Sequence, residues 1–156
     1  MEKATFAAGC FWGVEAAFRS LNGVFLTKAG YTGGATEYPS YTQVCSGDTG
    51  HAEAVQIIFD PHVIDYETLV NRFFAIHDPT QRNRQGPDVG SQYRSVIFYH
   101  NSRQKHIACR VKRALNAAKK FSRPIATHIE PITTFYDAEE YHQQYLEKRG
   151  LARCHT

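Results

Sequence analysis

Short apolar runs alternate along the chain with longer amphipathic stretches, and glycine, proline and asparagine separate them. Residues 3–8 form an apolar run that stops at Gly9, which predicts a strand. Over 11–20, Phe11, Val14, Glu15 and Phe18 fall at helical spacing. Asn22 and Gly23 mark a turn, 24–31 predicts a second strand, and 32–50 is a long loop rich in Gly, Ser, Thr and Tyr. A third strand over 52–59 is broken by Asp60-Pro61. Asp65 then caps a helix that sets Tyr66, Leu69, Val70, Phe73 and Phe74 on one face. A second long polar loop, 77–93, leads into a fourth strand over 94–99.

The order β-α-β-β-α-β predicts an α+β fold with a ferredoxin-like, split βαβ two-layer core. After the core, Ser102 is expected to cap a helix with Ile107, Val111, Leu115 and Ala118 inward. Residues 129–135 are expected to add an edge strand, and Asp137 with Glu140 to form the capping box of a last helix. Residues 149–156 read as a flexible C-terminal tail. At 156 residues, with no repeat or linker, one domain is expected over 1–156.

Composition narrows the function classes. With 42% hydrophobic and 21% charged residues, the chain has the make-up of an ordinary globular domain. Eighteen basic against fifteen acidic residues give a net charge of +3. The densest basic cluster, Arg110, Lys112, Arg113, Lys119 and Lys120, reads as a solvated helix face, so nucleic-acid binding is not expected. No apolar run nears the ~18 residues of a membrane span and the start has no signal-like apolar stretch, so membrane association is not expected and a cytoplasmic location is. The four cysteines, Cys10, Cys45, Cys109 and Cys154, include no Cys-x-x-Cys pair and no Cys/His ligand cluster. The absence of a secretory signal argues against a disulfide framework and the missing clusters against a bound metal, leaving inert thiols or thiol chemistry.

Cys10 sits where the first strand turns into the first helix. Unpaired amides and the positive helix end there favour a thiolate, and Gly9 permits close approach. Phe11 and Trp12 can wall an apolar pocket beside the sulfur. Position alone admits a reactive nucleophile and a small buried residue equally. Counting by twos puts Glu53 on the face of Val55, Ile57 and Phe59, which predicts a desolvated carboxyl that holds its proton and can donate it. The alternative is a strand-end carboxylate reaching solvent. Tyr31, Tyr38, Tyr41, Asp88 and Tyr93, in or beside the two long loops, offer hydroxyl and carboxyl groups to a small polar oxygen. His51 and His77 read more readily as structural hydrogen-bonding residues than as bases.

Four blocks carry a resemblance: Gly9-Cys10-Phe11-Trp12-Gly13, Gly30-Tyr31-Thr32-Gly33-Gly34, residues 44–53 (Val-Cys-Ser-Gly-Asp-Thr-Gly-His-Ala-Glu), and residues 77–94. In this order they resemble the A-type peptide methionine sulfoxide reductases, collinearly over residues 5–146. The resemblance implies reduction of methionine-S-sulfoxide, free or in proteins, with Cys10 as the nucleophile that attacks the sulfoxide sulfur. It implies that Phe11 and Trp12 hold the substrate methyl group. Glu53, Tyr41 and Tyr93 would surround the sulfoxide oxygen, with Glu53 supplying a proton, and Asp88 would anchor the substrate backbone or orient the site. A Cys10 sulfenic acid would then condense with Cys154, the cysteine of the tail, and thioredoxin would reduce the disulfide. Cys45, in the matched loop, is the alternative resolving thiol, and Cys109 is expected to be inert. No bound cofactor and a monomer are expected. Beside the family reading stand a peroxide-reducing thiol enzyme and a noncatalytic module that binds methionine-bearing peptides.

Overall fold

The structure, a computed structural model, describes residues 1–150. Its strands are β1 (Glu2–Ala8), β2 (Val24–Thr32), β3 (Ala52–Phe59), β4 (Arg84–Gln85), β5 (Asp88–Val89), β6 (Ser95–Tyr99), β7 (His128–Pro131) and β8 (Tyr136–Asp137). Its helices are α1 (Phe11–Arg19), α2 (Tyr41–Cys45), α3 (Tyr66–Ala75), α4 (Ser102–Ala117) and α5 (Tyr145–Lys148). Six strands form one sheet in the order β7-β6-β1-β3-β2-β8, every neighbour antiparallel except the parallel join of β6 to β7. Strands β4 and β5 make a separate two-stranded hairpin.

The interior of the sheet explains the apolar runs. β1 lies between β3 and β6, and its residues from Ala4 to Ala8 are buried on both faces, as a central strand requires. On the helix-covered face Phe6 stacks on Phe18 at 5.0 Å, on Phe73 at 5.4 Å and on Tyr66 at 6.1 Å, joining β1 to α1 and α3. Each such ring contributes about 1.5–3 kcal/mol by leaving water. A smaller cluster of Ala7, Ala52, Ala54, Val96 and Phe98, backed by Ile132 and Phe135, covers the opposite face.

Both long loops hold structure that their polar composition concealed. Loop 32–50 contains α2, whose Ser40 cap accepts the Gln43 N–H while the Gln43 side chain accepts the Ser40 N–H. Loop 77–93 contains the β4–β5 hairpin and a 3-10 turn over Ser91–Tyr93. The Asp65 cap forms as expected, accepting the Thr68 N–H at 2.8 Å.

The C-terminal third departs from expectation. Asn101 caps α4, with its Oδ1 accepting the Gln104 N–H at 2.9 Å; the buried face is Gln104, Ala108 and Val111, and Ala118 is an exposed end residue. The strand expected over 129–135 stops at Pro131 as β7, on one edge of the sheet, and a separate short strand beyond that range, β8, pairs with β2 at the other. Asp137 caps no helix, because it belongs to β8 and its carboxylate meets Lys28 Nζ at 2.8 Å. A 3-10 turn, Glu140–His142, precedes α5. Cys154 and most of the expected tail, residues 151–156, lie outside the described residues.

Candidate active site

β1 ends at Ala8, and Cys10 occupies the N-cap position of α1, half-exposed at the positive end of the helix. Gly9 makes the junction with φ +97°, and a Cβ there would sit 2.8 Å from both Cβ and Cγ of Gln85. Loop 77–93 therefore presses directly on the Cys10 turn. Gln85 is itself clamped, since its Oε1 accepts the Asp78 N–H and its Nε2 donates to the Asp78 carbonyl, each at 2.9 Å. This clamp fixes the hairpin that carries Asp88.

Glu53 is 1% exposed, and Val55, Ile57 and Phe59 on its face are fully buried, so the carboxyl is desolvated and does not reach solvent. Its Oε1 accepts the Phe11 N–H at 3.2 Å, one of the amides that the start of α1 leaves unpaired. Thiol and carboxyl thus share one helix end, although 43 residues separate them in sequence.

Two phenols face the same place. Tyr41 opens α2; burial pushes its hydroxyl up, and hydrogen bonding with the Cys45 thiol and the nearby Glu53 act in the same direction. Tyr93 closes the 3-10 turn, and burial again raises it most, followed by Glu53, Cys45, Asp88 and Cys10. Both hydroxyls keep their protons at neutral pH and remain hydrogen-bond donors. The fold therefore brings Cys10, Tyr41, Glu53, Asp88 and Tyr93 together. Tyr31 is the cross-strand neighbour of Glu53, but its hydroxyl is committed to Glu139 at 2.8 Å, and Tyr38 is 85% exposed and stands apart.

Phe11 is buried among Tyr31, His142 and Tyr41, with centroids 5.7, 5.1 and 6.4 Å away. Trp12 is half-buried, stacks on Tyr145 at 3.7 Å with 7° between planes, and donates its indole N–H to His142 Nδ1 at 2.9 Å. His51 and His77 are structural. His51 Nδ1 accepts the Gly34 N–H and its Nε2 donates to the Thr36 carbonyl, closing loop 32–50. His77 bridges the Phe73 carbonyl and the Ser95 hydroxyl, and burial lowers its pKa to about 4.

The residues that sequence reasoning missed lie in one stretch near the C-terminus. Glu139 accepts the Tyr31 hydroxyl and, at 2.9 Å, the Tyr41 N–H. Burial opposes its charge, but these bonds prevail and hold its carboxyl below the usual range. His142 is fully buried against the Tyr41 ring at 4.3 Å. Gln143 pairs with the Ala29 backbone at both N–H and carbonyl, each 2.8 Å, as another strand would. The only sequence signal was the density of polar and aromatic residues over 138–145, which the expected capping box absorbed. Among the described residues no three His, Cys, Asp or Glu side chains group to hold a metal ion, and no helix is long and apolar enough to cross a membrane.

Comparison with known proteins bears on this geometry. The family model described as peptide methionine sulfoxide reductase matches residues 2–156. A relative named peptide methionine sulfoxide reductase MsrA, from Methanosarcina acetivorans, is 61% identical over 97% of this chain and 80% of its own length. Among solved structures, Mxr1 from Saccharomyces cerevisiae in reduced form is 44% identical with a TM-score of 0.90, covering 96% of this chain and 86% of that one. Mxr1 in complex with Trx2 matches with a TM-score of 0.66 at 34% identity, over 92% of this chain and 84% of that one.

Proposed function

This chain belongs to the peptide methionine sulfoxide reductase family and is an oxidoreductase that reduces methionine sulfoxide, and from that premise we propose a mechanism for it. Cys10, as thiolate, attacks the sulfoxide sulfur. Glu53, whose burial favours the neutral carboxyl, gives a proton to the sulfoxide oxygen, and the hydroxyls of Tyr41 and Tyr93 stabilise that oxygen as charge develops. Phe11 and Trp12 hold the methyl group, and Asp88 anchors the substrate backbone. The observation that carries this reading is the bond from the Phe11 N–H to Glu53, which seats an acid against the helix end that presents the thiol.

As the bond between the two sulfurs breaks, the protonated oxygen passes from the methionine sulfur to the Cys10 sulfur: the sulfoxide is reduced by two electrons and departs as methionine, and the thiol is oxidised by two electrons to a sulfenic acid. The Cys154 thiol then attacks the sulfenic sulfur, water leaves, and a Cys10–Cys154 disulfide forms. A thioredoxin dithiol reduces it and is oxidised in turn; the solved complex of Mxr1 with Trx2 supports this partner. The reading extends to the S epimer, to free and protein-bound substrate, and hence to repair of oxidised proteins. It also takes the core as a split βαβ unit, supported by the order β6-β1-β3-β2 with antiparallel neighbours.

The test mixes reduced protein with stoichiometric amounts of each epimer of a blocked methionine sulfoxide, without added reductant. Conversion of the S epimer alone, with a Cys10–Cys154 linkage seen by mass spectrometry, is expected. Cys154→Ser should complete one turnover and then stop under thioredoxin. Normal cycling by that variant refutes the resolving role, and no conversion of either epimer by the wild type refutes the reading.

A further inference from the structure

The catalytic steps leave one buried carboxyl unused. Glu15 lies on α1, five residues beyond Cys10, and is 1% exposed. Its Oε2 accepts the Thr27 hydroxyl at 2.8 Å, which ties it to β2. Its Oε1 accepts the Gln144 N–H at 2.7 Å. Gln144 is not a glycine but has φ +53°, a left-handed conformation that costs about a kilocalorie per mole or more unless its surroundings enforce it. It is the residue immediately before α5. Two further contacts depend on where α5 begins: Tyr145 stacks flat on Trp12 at 3.7 Å, and the Arg149 guanidinium lies 3.7 Å from the Tyr145 ring centre. An ion pair of Arg19 with Glu147 at 3.7 Å adds a weaker, exposed tie between the same two helices.

We propose that Glu15 is a positioning residue: its buried carboxyl holds the strained Gln144 turn through the amide N–H and thereby seats Tyr145 on the Trp12 indole. The proposal rests on the reading of Trp12 as a wall of the substrate pocket. The indole is then set from two sides, by His142 at its N–H and by Tyr145 on its face. The N–H of Gln144 precedes α5, and the carbonyl four residues back, that of Glu140, accepts the Gln143 N–H instead, so the Glu15 carboxyl is the acceptor left to it. Burial acts first on Glu15 and raises its pKa, while the Gln144 amide and the Thr27 hydroxyl act the other way. An acceptor that merely reached solvent would not need these two donors.

Trp12 is the single tryptophan of the chain, so its emission reports the stack without any activity measurement. Glu15→Ala is expected to shift Trp12 emission to the red and to increase acrylamide quenching. In single-turnover assays it should raise KM for a blocked methionine-S-sulfoxide about fivefold, the value of one lost aromatic stack, with a far smaller change in the saturating rate. Glu15→Gln is expected to restore emission and KM, because its amide oxygen still accepts the Gln144 N–H. Tyr145→Leu leaves Glu15 in place and removes the stack directly. It must reproduce both changes, which keeps the proposal testable if Glu15→Ala does not fold. Wild-type emission and KM in Tyr145→Leu or in folded Glu15→Ala, or no rescue by Glu15→Gln, overturns the proposal. Failure of the wild type to reduce either epimer would overturn the reading of the reaction instead and would leave the emission result standing by itself.

Discussion

His77 predicts an acid-sensitive step in stability whose size follows from its surroundings. The ring donates from Nδ1 to the Phe73 carbonyl at 2.7 Å and accepts the Ser95 hydroxyl at Nε2, so it is held in its neutral form. Burial lowers its pKa from 6.5 to about 4. Because the folded value is the depressed one, the unfolded chain binds the proton first as the pH falls. The contribution is complete above about pH 6.5 and is lost progressively between there and about pH 4. A difference of that size is worth at most about 3 kcal/mol, most of which is gone by about pH 4.5. Other groups titrate over this range, among them Asp65, Asp78 and Glu139, so the wild-type slope alone does not isolate His77. The comparison is with His77→Gln, whose amide can serve both hydrogen-bond partners and does not titrate. Urea unfolding at pH 7 and at about pH 4.5 should show the variant losing about 2 kcal/mol less than the wild type between the two conditions. Parallel losses in the two proteins would refute the argument.

Glu53→Gln should keep the Phe11 N–H acceptor and slow the first step about a hundredfold or more, read as single-turnover methionine formation. Gly9→Ala sets a methyl group 2.8 Å from Gln85 in a φ +97° backbone, so it should cost about 1–2 kcal/mol in urea unfolding and slow single turnover; an unchanged midpoint would contradict the packing of loop 77–93 on the Cys10 turn. Asp65→Ala removes the N-cap of α3 and should lower stability by about 1 kcal/mol while leaving single-turnover rates as they were.

How far the sequence reaches into this structure depends on how local the cause is. The period-two pattern of β3 pointed to a buried Glu53 beside the alternative of a solvent-reaching strand end, between which the fold decides for burial, and a glycine between an apolar run and a helical spacing was enough to place Cys10 at a helix start. At α4 two good caps are adjacent, and Asn101 prevails over Ser102 because its carbonyl oxygen reaches the Gln104 N–H. Asp137 and Glu140 have capping-box spacing, yet no α-helix starts there, and α5 begins only at Tyr145. The Ala138 N–H is already committed to the Ala29 carbonyl, and β8 pairs with β2. There a long-range strand contact outcompeted a local signal worth about 1 kcal/mol. The same holds for the rest of the site. Glu139 reaches Tyr41 across 98 positions, and His142 meets Trp12 across 130. No spacing rule relates such pairs; only the path that returns 138–145 against α1 and β2 brings them into contact. Cys10 and Glu53 sit at ends of elements that local patterns reveal, Tyr41, Asp88 and Tyr93 on short elements that the polar loops concealed, and the groups that hold Trp12 and Tyr41 in place come from a segment whose own pattern pointed to something else. Variants in 138–145 should therefore act on the geometry of Trp12 and Tyr41 more than on the reacting sulfur, so their effects should appear in KM and in Trp12 emission before they appear in the saturating rate.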